Sequence, residues 1–333
     1  MLPEPACIDR FSADLDTLAP PDARLGIALS GGPDSLALLL LAAAARPGMV
    51  EAATVDHALR EGSHAEAETA AAICAQLGVP HAVLTVDWDE KPATAIQERA
   101  RAERYRLLSA WANERGLDAI LTGQHADDQA ETLLMRLNRG AGVRGLAGMR
   151  ASSSVPSPRN SRAGGHPGLL RPLLAWRRSD LQRICADANL TPIADPSNAD
   201  DRYERVRVRK ALSDADWLDP SALAASAAHL AAADEALDWA VVQEWRRSVS
   251  ETDGGLTYAP SDAPPEILRR LVARAITTLA LEGGTDPLRA RELDPLIATL
   301  CSSGQTTLRG VVCKGGAHWR FSPAPERRRH ISS

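Results

Sequence analysis

Short apolar runs alternate with longer mixed segments through the first two thirds of the chain. Leu25–Ser30, Val50–Asp56, His81–Val86 and Asp118–Gly123 are brief stretches rich in Leu, Ile, Val and Ala. Their length and near-continuous apolar character predict buried strands. Between them, Asp34–Ala45, Ser63–Leu77 and Thr94–Arg115 have helical length and no internal proline, and His125–Asn138 follows the fourth strand as another helix. This alternation predicts an α/β fold, a doubly wound and mainly parallel sheet wrapped by helices. Ligands of such sheets collect at the carboxyl ends of the strands. Here those ends carry Ser30, Asp56-His57, Asp87 and Gly123-Gln124-His125, which is where the polar residues concentrate.

Further along, Ala151–Gly168 is rich in Ser, Pro, Gly and Arg with no apolar period, the composition of a mobile loop. Arg178–Ala188 reads as a helix. After Lys210 the chain turns alanine-rich, with helices over Ser221–Arg247, Glu266–Leu281 and Arg289–Leu300 and a hairpin from Gln305–Val312 and His318–Phe321. A boundary near Leu212–Asp219 gives two expected domains, 1–214 and a smaller, mostly helical 215–333. A length of 333 residues supports that division. Leu36–Ala45 is the longest apolar run, half a membrane span, and Met1–Arg10 lacks the pattern of an export signal, so no membrane association is expected. Five cysteines without a Cys-x-x-Cys pair fit reduced thiols and a cytoplasmic protein.

The chemistry begins at Ser30-Gly31-Gly32-Pro33-Asp34-Ser35, between the first strand and its helix. Glycines let a ligand approach the backbone, and the first amides of a helix have no intrahelical partner. A turn of this kind favours phosphate or pyrophosphate. It lacks the lysine of a Walker A loop and the third glycine of a dinucleotide fingerprint. A second cluster, Thr122 to Thr132, also enters a helix from a strand end. Within it, Asp127, Asp128 and Glu131 share a face by their three- and four-residue spacing. Carboxylates grouped beside a phosphate loop call for a cation, either magnesium or an ammonium group.

Net charge is −5, which by itself argues against a polyanionic partner, but the distribution is uneven. Only Lys91, Lys210 and Lys314 are lysines, and ten arginines face one acid, Asp180, between Met135 and Arg183. Arg202–Lys210 adds five basic residues against Glu204. Local blocks of this density can bind nucleic acid on an acidic protein, because contacts act over about a Debye length (~10 Å). Trp176, Tyr203 and Trp319 are the candidates for stacking on bases.

Taken together, Ser30–Ser35, Val55-Asp56-His57-Ala58-Leu59-Arg60, Gln97-Glu98-x-Ala100-Arg101-x-x-Arg104-Tyr105 and Thr122–Thr132 resemble the N-type ATP pyrophosphatases, or PP-loop enzymes, of adenine nucleotide α-hydrolase-like fold. Leu137-x-Arg139-Gly140-x-Gly142-x-x-Gly145-Leu146-x-Gly148-Met149, Arg171-Pro172-Leu173-Leu174 and Asp195-Pro196-Ser197-Asn198-Ala199-Asp200 narrow the resemblance to the tRNA(Ile)-lysidine synthetases. It covers most of residues 25 to 210 and is looser beyond. The resemblance implies a ligase using ATP and Mg²⁺, acting on tRNA(Ile) with a CAU anticodon and on free L-lysine, and it leaves room for a homodimer. It implies that Ser30, Gly31, Gly32, Pro33, Asp34 and Ser35 hold pyrophosphate, that Asp34 binds the metal, and that Val55 and Asp56 lie near adenine. Asp128 and Glu131 would receive the lysine ammonium, and His125 would take its proton. Arg101 would act beside them, and Arg104 would contact phosphate or tRNA. Arg171, Asp195, Asn198, Arg205 and Arg207 would line the cytidine approach. Two positions depart from the family pattern: Gln124 replaces a first histidine and cannot carry a proton, and Val206 replaces an asparagine. A tRNA thiolase of the same superfamily and a catalytically silent RNA-binding protein are the alternatives.

Overall fold

A computed structural model of the protein describes residues 2–58, 63–88, 96–155, 167–193, 200–280 and 288–325. It divides into two compact units, Met1–Ala231 and Ala232–Ser333, each described by itself.

The first unit opens with α1 (Pro5–Asp16), β1 (Leu25–Ala28), α2 (Pro33–Ala45), β2 (Val50–Asp56), α3 (Ser63–Gln76) and β3 (His81–Thr85). It continues through α4 (Ile96–Arg115), β4 (Ala119–Leu121), α5 (Ala126–Asn138), α6 (Val143–Leu146), β5 (Ser152–Ser154) and β6 (Gly168–Leu170). Then come α7 (Arg178–Asp187), α8 (Glu204–Asp214) and α9 (Pro220–Ser248), the last running into the second unit. The sheet order is β3-β2-β1-β4-β6-β5, with every pair parallel except β5 against β6. The expected strands and helices are present, with ends shifted by at most two residues.

This strand order decides where a ligand can sit. The chain builds outward from β1 through β2 to β3, then returns to lay β4 on the other side of β1. Loops leaving β1 and β4 therefore face each other across the point where the winding reverses, the usual place for a ligand in an open α/β sheet. Helix α2 is pinned behind that point. It is apolar all round, with Leu36 to Ala42 essentially inaccessible, because α1 and α7 pack on it as well as the sheet. The sequence reading did not include α1.

Trp176 belongs to this core rather than to an RNA surface. It is buried, its indole N–H donates to Asp14 Oδ2 at 2.8 Å, and Arg10 lies over the ring at 4.1 Å. Trp319 is likewise buried, edge-on to Tyr258. Neither is free to stack on a base; large apolar area drove both inward. Trp176→Ala is expected to cost about 3–5 kcal/mol of folding stability. Denaturant titration measures this, and a loss near zero would contradict the placement.

The second unit extends the expected hairpin into a five-stranded antiparallel sheet, ordered β7-β8-β11-β10-β9. Its strands are β7 (Val249–Thr252), β8 (Gly255–Tyr258), β9 (Gln305–Leu308), β10 (Val311–Lys314) and β11 (Trp319–Pro323), packed with α10 (Pro265–Leu279) and α11 (Ala290–Cys301). Arg309 and Gly310 both have positive φ, so the run Gln305–Val312 folds back as two strands. No helix among the described residues is long and apolar enough to cross a membrane.

Candidate active site

The loop after β1 is stitched by Ser35. Its hydroxyl accepts from the Ser30 amide at 3.2 Å, donates to the Gly32 carbonyl at 3.0 Å, and lies 3.1 Å from the Ser30 hydroxyl. Gly31 has φ +77°, a conformation that favours glycine, and a Cβ there would also come within 2.3 Å of Ile193 Cδ1, the end of a side chain that would have to move. Pro33 occupies the first helical turn of α2, where a missing N–H costs nothing. Asp34 follows, making no capping hydrogen bond, with Oδ1 buried and without a hydrogen-bond partner among the described residues.

Gly123, at the end of β4, brings the second cluster against this loop. A Cβ on it would meet the Asp34 carbonyl carbon and oxygen at 3.0 Å and the Ser35 nitrogen at 3.2 Å. One cleft is consequently lined by Ser30, Gly32, Asp34 and Ser35 together with Thr122, Gly123, Gln124 and Asp128, and closed by Arg104, Tyr105 and Arg205. The glycine loop and the acidic cluster converge as the sequence expected.

His125 is the N-cap of α5, and its side chain is fully buried. The ring nitrogens lie 3.5 Å from Asp34, 3.6 Å from Asp127 and 3.5 Å from Asp128, ion-pair rather than hydrogen-bond distances. Burial disfavours the charged ring, but the carboxylates, Asp127 and Asp34 foremost, outweigh it and push the pKa up to about 9. His125 is therefore charged at neutral pH. Its charge stabilises the fold fully below the ordinary value of 6.5, and that contribution fades as pH rises through about 9. Stability should drop by up to about 3 kcal/mol over this window and flatten in His125→Gln. Equal pH slopes for the two proteins in denaturant titrations would contradict the charged ring.

The acids are already balanced by arginines. Glu131 is 1% exposed, and its oxygens accept from Arg205 Nε at 2.6 Å, Arg209 Nε at 2.7 Å and Arg178 Nη2 at 3.3 Å. Burial works against its charge, and Arg209 and Arg205 more than restore it, holding the carboxyl below its ordinary range. Asp128 Oδ1 accepts from Arg205 Nη2 at 2.8 Å, and Asp128 Oδ2 caps the His125 amide at 3.1 Å. Asp127 accepts from the first amide of α7, Arg178 N, at 2.8 Å and from Arg177. The expectation that Asp128 and Glu131 face an incoming ammonium thus meets a site whose oxygens hold guanidinium groups. Arg177, Arg178 and Arg209 were missed by the sequence reading. Arg209 was legible as the residue one helical turn after Arg205.

Other expected residues divide. Arg104 lines the cleft, while Arg101 lies over the Tyr105 ring at 5.0 Å. Arg171 is buried and donates to the Arg150 carbonyl at 2.7 Å and Ser153 Oγ at 3.1 Å, bracing β5 and β6. Arg207 is turned from Arg205 around α8 and donates to the carbonyls of Asp201 and Arg202. Residues two apart on a helix point to different faces, and Arg207, unlike Arg205, does not line the cleft. Val55 and Asp56 end β2, beside β1 but outside the cleft lining; Asp56 Oδ1 accepts from the Ala58 amide at 2.8 Å. Asp195 and Asn198 lie outside the described residues.

Magnesium fits this donor set. Among the described residues no three His, Cys, Asp or Glu side chains form a metal cage. Oδ1 of Asp34, buried and without a hydrogen-bond partner among the described residues, instead offers one hard oxygen beside the Ser30–Ser35 turn. Magnesium is commonly held that way, by one or two carboxylates and the nucleotide's own phosphates.

Comparison with known proteins agrees with the geometry. Residues 7–215 match the family described as PP-loop domain. A tRNA(Ile)-lysidine synthase from Novosphingobium aromaticivorans is 49% identical over 96% of this chain and 94% of its own length. Its counterpart from Zymomonas mobilis is 40% identical over 94% of this chain and 92% of its own. A solved U34-tRNA thiolase, NcsA from Methanococcus maripaludis, superimposes with a TM-score of 0.54 at 15% identity, covering 67% of this chain and 78% of that one. That likeness concerns the fold alone. With its glycine turn and acidic helix start meeting in one cleft, and with near full-length similarity, the chain belongs to the tRNA(Ile)-lysidine synthase family of PP-loop enzymes.

Proposed function

We propose that this chain joins free L-lysine to C2 of the wobble cytidine of tRNA(Ile) bearing a CAU anticodon, consuming ATP. The convergence of the Ser30–Ser35 turn, Asp34 included, with Asp128 at the start of α5 in one cleft carries this reading. In a first step the cytidine O2 attacks the α-phosphorus of ATP, and pyrophosphate leaves. In a second, the lysine ε-nitrogen attacks C2, loses a proton, and AMP leaves with the C2–O2 bond's electrons. The residues suit both steps. Backbone amides at the start of α2 and the Ser30–Ser35 stitch would hold the departing pyrophosphate. Asp34 would hold magnesium, which when bound offsets the charge growing on that leaving group. Arg104 and Arg205, on the cleft wall, would meet phosphate or the activated base.

Lysine, the second substrate, would use the acids at the start of α5. His125 is charged as found, so it donates rather than accepts. Once Asp34 spends its charge on the nucleotide side, one of the ring's counter-charges is withdrawn. The pKa then falls, the direction a proton acceptor requires. Sulfur transfer by a cysteine has no comparable support. Cys185, near the loop, donates its thiol to the Pro33 carbonyl at 3.2 Å, and burial raises its pKa to about 11. The basic block is also smaller as an RNA surface than its count suggests. Arg136 donates to the Gly145 and Gly148 carbonyls, and Arg171, Arg177 and Arg178 are engaged as described. Arg139, Arg183 and Arg202 remain largely exposed and would supply phosphate contacts.

The test is incubation of the purified protein with ATP, labelled lysine and total tRNA. Lysine label in an isoleucine tRNA is expected, with AMP and pyrophosphate as products. Label absent from tRNA despite a folded protein would overturn the reading, as would sulfur incorporation in its place.

A further inference from the structure

The proposed second step brings a lysine ammonium to acids that Arg205 already holds. Three guanidinium groups meet Glu131, but they are not equivalent. Arg178 and Arg209 touch Glu131 and do not line the nucleotide cleft. Arg205 bridges Glu131 and Asp128 through Nε and Nη2, and it also forms part of the cleft wall. It is the most exposed of the three, 43% against 24% and 28%, and its Nη1 makes no hydrogen bond among the described residues. Beneath Asp128 lies the His125 ring, wholly buried and with neither nitrogen hydrogen-bonded. Arg205 already takes Glu131 Oε2 and Asp128 Oδ1, so an ammonium reaching for those two oxygens meets its guanidinium there.

We propose that Arg205, bridging Asp128 and Glu131, occupies the lysine ammonium's seat, and that nucleotide phosphates draw it into the cleft and open that seat. The inference rests on the lysine reading above. The exchange conserves charge: one guanidinium leaves Asp128 and Glu131 as one ammonium arrives, while Arg178 and Arg209 keep Glu131 compensated. Phosphate oxygens compete well for a guanidinium because both accept its planar fork. ATP therefore raises lysine affinity, and by thermodynamic reciprocity lysine raises ATP affinity by the same factor. Arg205 becomes a specificity-determining residue, since it keeps free lysine out until the nucleotide that activates the base is present.

Calorimetric titration of L-lysine into the full chain, with and without Mg²⁺ and the non-transferable analogue AMP-PNP, tests this. In the unmodified protein the analogue should tighten lysine binding by at least about tenfold. Arg205→Met should bind lysine tightly with or without the analogue, its coupling gone. Should that variant fail to fold, Arg205→Lys, which cannot bridge both acids, should show reduced coupling. Equal lysine affinity with and without AMP-PNP in the unmodified protein would overturn the exchange, as would weaker lysine binding in folded Arg205→Met. Asp128→Asn separates the two levels. If it binds lysine normally, the acidic seat itself is wrong and the exchange falls with it. If it weakens lysine while AMP-PNP has no effect on the unmodified protein, only the exchange is wrong. Undetectable lysine binding in every state also overturns the proposal.

Discussion

Asp34→Ala is expected to reduce pyrophosphate release by roughly 10²–10⁴-fold while leaving the protein folded and still able to bind tRNA. The structure explains why activity and stability should separate. Asp34 sits in the first turn of α2 but makes no capping hydrogen bond, so its removal does not unravel the helix. One oxygen is buried without a partner, and the other stands 3.5 Å from His125. Removing the carboxylate also withdraws one counter-charge from that ring, which should lower its pKa. Pyrophosphate release and a thermal melt on the same preparation check this. A collapsed melting transition would make Asp34 a structural residue and rule out the metal-binding role proposed for it. A nearly unchanged rate would do the same.

The second large effect belongs to a residue without a side chain. Gly123→Ala would set a Cβ 3.0 Å from the backbone of Asp34, closer than most packed Cβ contacts, so a neighbour must give by a few tenths of an ångström. The neighbour is main chain at the start of a fully packed helix, so the strain must be relieved by displacing either the phosphate turn or the end of β4. A shift of some tenths of an ångström costs little folding energy, about 1–3 kcal/mol. Catalysis is less forgiving, because misplacement on this scale disturbs the alignment of reacting groups; a loss of about 10²-fold is expected. Rates of pyrophosphate release measured beside denaturant midpoints distinguish the outcomes. A variant with near-normal rate would show that the two loops need not meet closely.

How much of this was legible in the sequence follows the range of each interaction. The strands, their helices and the two polar turns were legible because each signal is local: apolar period, turn glycines, and acids in a first helical turn. The switch point follows from strand order, which the alternation implied but did not state. Glu131 was read as a receptor because its neighbours in sequence are acids. Its partners in space, Arg178, Arg205 and Arg209, lie 47 to 78 residues downstream, beyond any spacing rule. Arg205 and Arg207 look alike in the sequence, yet a helix sends them to different faces, which required knowing that Glu204–Asp214 is helical. The arginine block failed as a measure of RNA surface for a related reason: composition counts charges and cannot see that Arg136, Arg171 and Arg178 are engaged internally. In the second unit, Asp253-Gly254 carried a readable hairpin signal between β7 and β8, overshadowed by the alanine-rich helix before it.

Both large effects, and the exchange at Arg205, require nucleotide phosphates to rest where the turn after β1 meets the start of α5. A crystal structure with AMP-PNP and magnesium addresses that directly. The expected density places phosphate oxygens against the amides of Gly32 to Ser35, a metal on Asp34, and Arg205 turned from Glu131 toward the phosphates. An analogue bound with its phosphates away from the Ser30–Ser35 turn would contradict the account.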